Sequence, residues 1–271
     1  MMGEWYEEQR RRDELSRQQS EALLGPEGQI FARYMALTVA CLDAITYSDR
    51  LDELAVKRGI EFSSHALSLN WSAWDEALCG RYDASRGHSR SSHESGEYLM
   101  ALLARPDLAD DLGSNTKDIR KARRLVKEAL DSQEAGRGEE YLQQVRQFAK
   151  SLQPLAHVCH EVAGTLPMLD VDGRGTAVVR PGGMISPATL RLLAIPLAIE
   201  AIQLYTTTLV FFSDIVDPEG QLWRDQLAEA KEALDALAPE LDGMRNVLQP
   251  VAQIYFARSD ENVGVQEGLR G

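Results

Sequence analysis

From Gly80 to Leu103 the chain reads GRYDASRGHSRSSHESGEYLMALL, which brings two of its five histidines and three of its 23 arginines into one short stretch. Wound as an α-helix, each residue turns the chain by about 100°. Arg86, Arg90, His93, Glu94 and Glu97 then share a face. A histidine there can serve as general acid or base near neutral pH, and an arginine can hold a phosphate or carboxylate. Arg86 and His93 have six residues between them, as do Arg81 and His88. The candidate catalytic residues are therefore Arg86, His93, Arg90 and Glu94, with Arg81 and His88 as a second choice. The same face has two plainer readings. Arg90 and Glu94, four apart, can form a solvated ion pair, or the stripe can be a partly buried polar network that fixes packing. Beside it Ser85, Ser89, Ser92, Gly96, Leu99 and Leu103 recur at alternating spacings of four and three. Small residues in such a row let a second helix come close.

Other chemistry is thinner. AHVCHE sets His157 and His160 one helical turn apart, a possible start for a metal site. Cys159 between them falls on an apolar seam, and no CxxC, HExxH or ExxH supplies further ligands, so packing is the favoured reading and no metal is expected. DVDGRG lacks the acidic fifth position and the closing glutamate of a calcium loop. The glycines show neither GxGxxG nor GxxxxGK[ST] order, so no nucleotide cofactor is expected. The rows Lys117, Lys121, Arg124 and Arg120, Arg123, Lys127 are the one basic concentration, read first as a solvated helix face and second as a phosphate contact.

The Arg/His spacing resembles that of HEPN-type ribonucleases, helical proteins of bacterial defence and toxin systems. In those the histidine works on the ribose 2′-hydroxyl and the arginine stabilises phosphate charge, without a metal. Tyr82 and Gly87 stand where that pattern has a polar residue after the arginine. A broader resemblance rests on Gly80-Arg81-Tyr82-Asp83-Ala84, then Arg90-Ser91 and Glu94, then Arg105-Pro106-Asp107-Leu108-Ala109. These resemble an uncharacterised all-helical bacterial family with an Arg-Ser-x-x-Glu helix, loosely related to HEPN-like and abortive-infection proteins. The resemblance covers about residues 65–217, with His157 or His160 matching that family's later histidine. It implies an α-helical protein and no assigned reaction.

The elements that must position these residues follow from periodicity. Residues 1–27 form a charged, exposed helix, stopped by Gly25-Pro26-Glu27-Gly28. Ile30, Tyr34, Leu37, Cys41, Ile45, Leu51 and Leu54 predict a helix to about residue 57, ended by Gly59. Leu67, Trp71, Trp74 and Leu78 predict the core face of a helix over 62–78. Gly80 suits its C-terminal stop. A helix from about 116 to 133 follows. Tyr141, Val145, Phe148, Leu152, Leu155, Cys159, Val162 and Leu166 form a heptad-like seam, interrupted by Pro154. Residues 166–186 are a Gly/Pro-rich loop with one β-prone run, Thr176 to Val179. Ser186-Pro187 opens a helix to about Val216 that is apolar nearly all round and belongs at the centre of a bundle. Two further helices run to about Ala257. The expected fold is all-α: one bundle domain of about eight helices over 28–258, with a loose tail over 259–271.

The formal charge of −13 argues against bulk binding to nucleic acid or anionic membranes. The longest charge-free run, Ala201 to Ser213, is too short to span a bilayer. MMGEWYEEQRRR is not a secretory signal, and three scattered cysteines read as reduced thiols. The abundance of arginine over lysine is typical of GC-rich bacterial genomes. The expectation is a cytoplasmic bacterial interaction or regulatory protein of a defence or stress system. Its partner would be another protein or a second copy of the chain, with RNA a partner only on the ribonuclease alternative.

Overall fold

In the computed structural model, residues 2–114, 119–133, 135–143, 169–171, 177–179, 187–216, 225–226 and 228–237 are described. The chain is all-α. Its helices are α1 (Met2–Glu21), α2 (Pro26–Thr46), α3 (Leu54–Leu78), α4 (Tyr82–Ala104), α5 (Ala109–Ser114) and α6 (Ile119–Gln133). Then come α7 (residues 137–143), α8 (Pro187–Phe211), the short α9 (Ser213–Val216) and α10 (residues 228–237). The β-prone run of the Gly/Pro-rich segment pairs as an antiparallel ladder, Leu169–Val171 against Ala177–Val179. The expected continuation of the heptad seam beyond residue 143, with Pro154, His157 and His160, lies outside the described residues. So do the last helix and the tail.

α8 is the hub. Leu190, Ile195, Leu197, Ala198, Ala201 and Ile202 are all buried, so most of the helix surface is enclosed, with Gln203 exposed. It meets α2, α3 and α4. Apolar residues at nearly every phase suit the centre of a bundle, which is where this helix lies. The stretch Leu193–Phe211 is long and apolar enough to cross a membrane, yet 67% of it is buried inside the bundle. One core cluster joins α8 to Phe31, Tyr34 and Met35 of α2 and to Ala73, Ala77 and Leu78 of α3. A second joins Tyr98, Leu99 and Leu102 of α4 to Leu112 of α5 and Leu125 and Val126 of α6.

Three boundaries or faces differ from the sequence reading. The break falls at residues 47–53, not at Gly59. There the Ser48 hydroxyl accepts from the Arg50 amide at 3.1 Å and a 3-10 turn, Asp49–Asp52, follows. α3 runs straight through Gly59, where a Cβ would collide with the rings of Phe211 and Phe212. That glycine serves close packing and does not stop the helix. Trp71 is 54% exposed, while Trp74 stacks on Phe31 at 4.0 Å with an interplanar angle of 6°. Leu78 is buried and Leu67 and Trp74 pack against the core as expected, while a second face, Ser63, Ala66, Asn70, Ala73 and Ala77, is buried as well. On α4, Ser85, Ser89, Ser92 and Leu99 are buried as expected, while Leu103 is exposed.

α1 is held by polar clamps. Arg17 donates twice to the Asp75 carboxylate, at 2.8 and 3.0 Å, and the buried Ser20 hydroxyl donates to the Leu78 carbonyl at 2.8 Å. Asp13 pairs with Arg81 at 2.9 Å.

Candidate functional site

The α3–α4 corner turns at Gly80, whose φ of +72° is left-handed and suits glycine. From there the serine seam faces inward, and the residues one position further along turn toward α6 and α8. A cavity of about 250 Å³ opens between these helices. α4 lines it with Ser92, His93, Gly96, Glu97 and Met100, and α8 with Glu200, Gln203, Leu204, Thr206 and Thr207. Ala66 of α3 and Tyr141 of α7 complete the wall.

Glu200 is the single acidic residue of α8 and is 4% exposed. Ser89 donates to both its carboxyl oxygens, at 3.0 and 3.1 Å. Burial pushes its pKa up to about 8, against the opposing pull of His93 and Ser89. It is therefore largely protonated at neutral pH. Glu97 is 2% exposed and forms an ion pair with Arg123 of α6, whose Nε lies 3.1 and 3.0 Å from its two oxygens. His93 Nε2 lies 3.5 Å from Glu97 Oε1. Burial pulls the imidazole down, but the Glu97 contact and the charges of Glu200 and Glu97 together outweigh it, and its pKa is raised. Burial also raises the Tyr141 phenol, and its hydroxyl is buried with no hydrogen-bond partner among the described residues. Ser92 spends its proton on the Ala66 carbonyl at 3.0 Å.

The structure divides the candidate residues. His93 lines the cavity, and Glu97 from the same stripe lines it too. Arg86 is half-buried on the same side of α4 but is not among the lining residues. Seven residues of helical rise set it about 10 Å from His93 along the axis. Arg90 is 78% exposed and pairs with Glu94 at 3.2 Å, the solvated pair of the plainer reading. Arg81 is engaged by Asp13 and Glu76, so it closes the α1–α3–α4 junction. His88 lies outside the cavity. The basic helix α6 packs on α4, and its charges are mostly spent locally. Lys121 meets Asp111 at 3.4 Å and Arg124 meets Glu128 at 3.7 Å, while Lys127 pairs with Asp131. Among the described residues no group of three histidine, cysteine, aspartate or glutamate side chains is arranged to hold a metal.

Glu200 and Tyr141 were missed as site residues, and Arg123 was read only as part of a basic helix face. The signal for Glu200 was present: one carboxylate inside a helix apolar on all sides must be paired, neutral or functional. Tyr141 reads as the first position of an apolar seam, and its hydroxyl leaves no trace in that periodicity. Comparison with known proteins returns no matching family model, no matching curated relative and no matching solved structure.

Chemically, the site is a small chamber with a polar floor and a partly apolar wall of Ala66, Met100 and Leu204. It holds one proton-bearing carboxyl, one carboxylate satisfied by a guanidinium, one imidazole and one uncommitted phenol. Shifted titratable groups facing a cavity mark binding or reacting sites more often than packing defects.

Proposed function

We propose that the chain is a helical interaction or regulatory protein that acts by binding, with the α4–α8 cavity as its ligand chamber. The observation that carries this reading is the commitment of the catalytic candidates. His93 faces Glu97, Glu97 is held by Arg123, and Arg86, the arginine paired with His93 by spacing, does not line the cavity. That arrangement fixes groups in place and leaves no free base beside a free cation. The acidic surface favours a protein partner or a second copy of the chain over nucleic acid. Cytoplasmic residence and a role in a bacterial defence or stress system belong to the same proposal. The test has two arms. Purified protein incubated with single-stranded RNA leaves it intact, and solution scattering with and without a candidate partner reports association. RNA cleavage that disappears in His93→Ala or Arg86→Ala overturns the proposal.

One observation favours the ribonuclease alternative. α6, the basic helix, packs directly on α4, so Arg123 reaches the same carboxylate as His93. On that reading His93 moves the proton of the ribose 2′-hydroxyl and the α6 cations hold the backbone. Against it stands the engagement of Arg123 and His93 with Glu97, which draws both groups away from a phosphate. Cleavage of RNA by wild-type protein but not by Arg123→Ala would decide for it.

A further inference from the structure

The cavity at the α4–α8 contact sets the Glu200 carboxyl and the Tyr141 phenol on the wall of one open volume, and these two groups name a ligand class. The argument rests on the reading of the cavity as a binding chamber. Arg123 is used up by Glu97, and the His93 imidazole faces that same carboxylate. The Ser92 proton is spent on the Ala66 carbonyl, and the Ser89 proton on Glu200. What remains turned toward the open volume is the Glu200 carboxyl and the Tyr141 hydroxyl, which has no partner among the described residues. Beside them lie Met100, Leu204 and Ala66, and Gln203, Thr206 and Thr207 add amide and hydroxyl groups from α8.

We infer that this cavity binds a small organic ammonium ion, its charged head against Glu200 and Tyr141 and its short apolar portion against Met100 and Leu204. Size sets the scale. About 250 Å³ lies just below the roughly 300–1,000 Å³ of drug-sized sites, which suits an amine of a few carbons. Charge selects the head group. An anion would find Arg123 already held by Glu97 and His93 facing the same carboxylate, whereas a cation meets a carboxyl that can release its proton. With Glu200 near 8, ionising it at pH 7 costs about a factor of ten in affinity. A contact ion pair away from bulk water returns more than that. The proton balance is explicit: the ammonium enters with its own protons, Glu200 changes from carboxyl to carboxylate, and close to one proton is released to buffer. Groups facing Glu200 that share in this balance are Ser89, His93 and Glu97 of α4, Arg123 of α6 behind Glu97, and Tyr141 of α7.

The experiment uses full-length protein and three probes of matched size: n-butylammonium, 1-butanol and butyrate. Calorimetry at pH 7 in two buffers of different ionisation enthalpy gives the number of protons exchanged, and backbone amide shifts locate the site. The expected result is binding of n-butylammonium alone with appreciable affinity, shifts confined to α4, α7 and α8, and release of close to one proton. Glu200→Gln, which keeps the volume and the Ser89 contact, weakens n-butylammonium at least tenfold and abolishes proton release. Tyr141→Phe weakens it less and keeps the release. Butyrate or 1-butanol binding better at the same amides overturns the ligand class while leaving the chamber intact. Absence of any shift at those amides with all three probes overturns the chamber itself. Unchanged affinity in a folded Glu200→Gln also overturns the inference.

Discussion

Ser89 of α4 donates to both carboxyl oxygens of Glu200 of α8, at 3.0 and 3.1 Å, across a helix interface where both residues are almost fully buried. One hydroxyl proton cannot satisfy four lone pairs, so the carboxyl remains costly to ionise. The helix that forms the core of the bundle thus carries a titrating group at its centre.

That group makes stability depend on pH. Between the ordinary carboxyl value of 4.5 and about 8, the folded protein holds a proton on Glu200 that the unfolded chain has lost. Stability therefore falls as pH rises through this window, by a total on the order of 5 kcal/mol. His93, whose value is also raised, acts in the same direction: its contribution is full below 6.5 and is lost as pH rises through the folded value. Glu200→Gln removes the first component. Its melting temperature should match wild type near pH 5 and exceed it by several degrees near pH 9. Parallel melting profiles for the two proteins across that range would contradict the assignment.

Arg123 and Glu97 should behave as a unit. With Glu97 only 2% exposed, removing the guanidinium leaves a buried carboxylate without its cation. Arg123→Met should destabilise by about 2 kcal/mol or more at neutral pH, less than for a fully buried pair because Arg123 is 30% exposed. Glu97→Gln in that background should restore much of the loss. Urea denaturation of the four proteins of the cycle measures it, and additive effects would mean that the two do not interact.

The two tryptophans of α3 make an internal control. Trp74→Ala removes the ring stacked on Phe31 and should cost about 3 kcal/mol or more. Trp71→Ala, at a position more than half exposed, should cost about 1 kcal/mol or less. Equal losses in chemical denaturation would refute the stated geometry.

Gly59→Ala tests whether that glycine is a spacer. In an exposed helix the change would stabilise by up to about 1 kcal/mol. Here the methyl meets Phe211 and Phe212, and the expected outcome is destabilisation by about 1–3 kcal/mol. A gain in melting temperature would show that the rings move aside freely.

How much of this was legible follows from what periodicity encodes. The serine seam of α4 was readable because small residues at alternating spacings of four and three have few other uses. The core role of α8 was readable because a helix apolar at every phase has only one place to go. Trp71 misled because α3 carries two stripes with that same alternation, one of large residues through Leu67, Trp71 and Trp74 and one of small residues through Ser63, Ala66, Asn70, Ala73 and Ala77. Both are used: Leu67 and Trp74 pack against the core and the small stripe is buried, so the helix turns only Trp71 of the large stripe outward. Of Arg86 and His93, which angular phase puts on one face, His93 lines the cavity and Arg86 does not. Glu200 pairs with a residue 111 positions earlier, a separation that no local pattern reports.

The corner at Gly80 has a consequence for how the length of this chain can vary. α3 and α4 are joined there with almost no slack, so one residue added or removed rotates all of α4 by about 100°. His93 and Glu97 would leave the chamber and their neighbours would enter, with no side chain substituted. The connection over residues 47–53 is longer, seven residues against the three of 79–81. Insertions should therefore be tolerated before α3 and excluded after it, which makes the spacing between Ala77 and Ser89 as much a determinant of the site as the residues that line it.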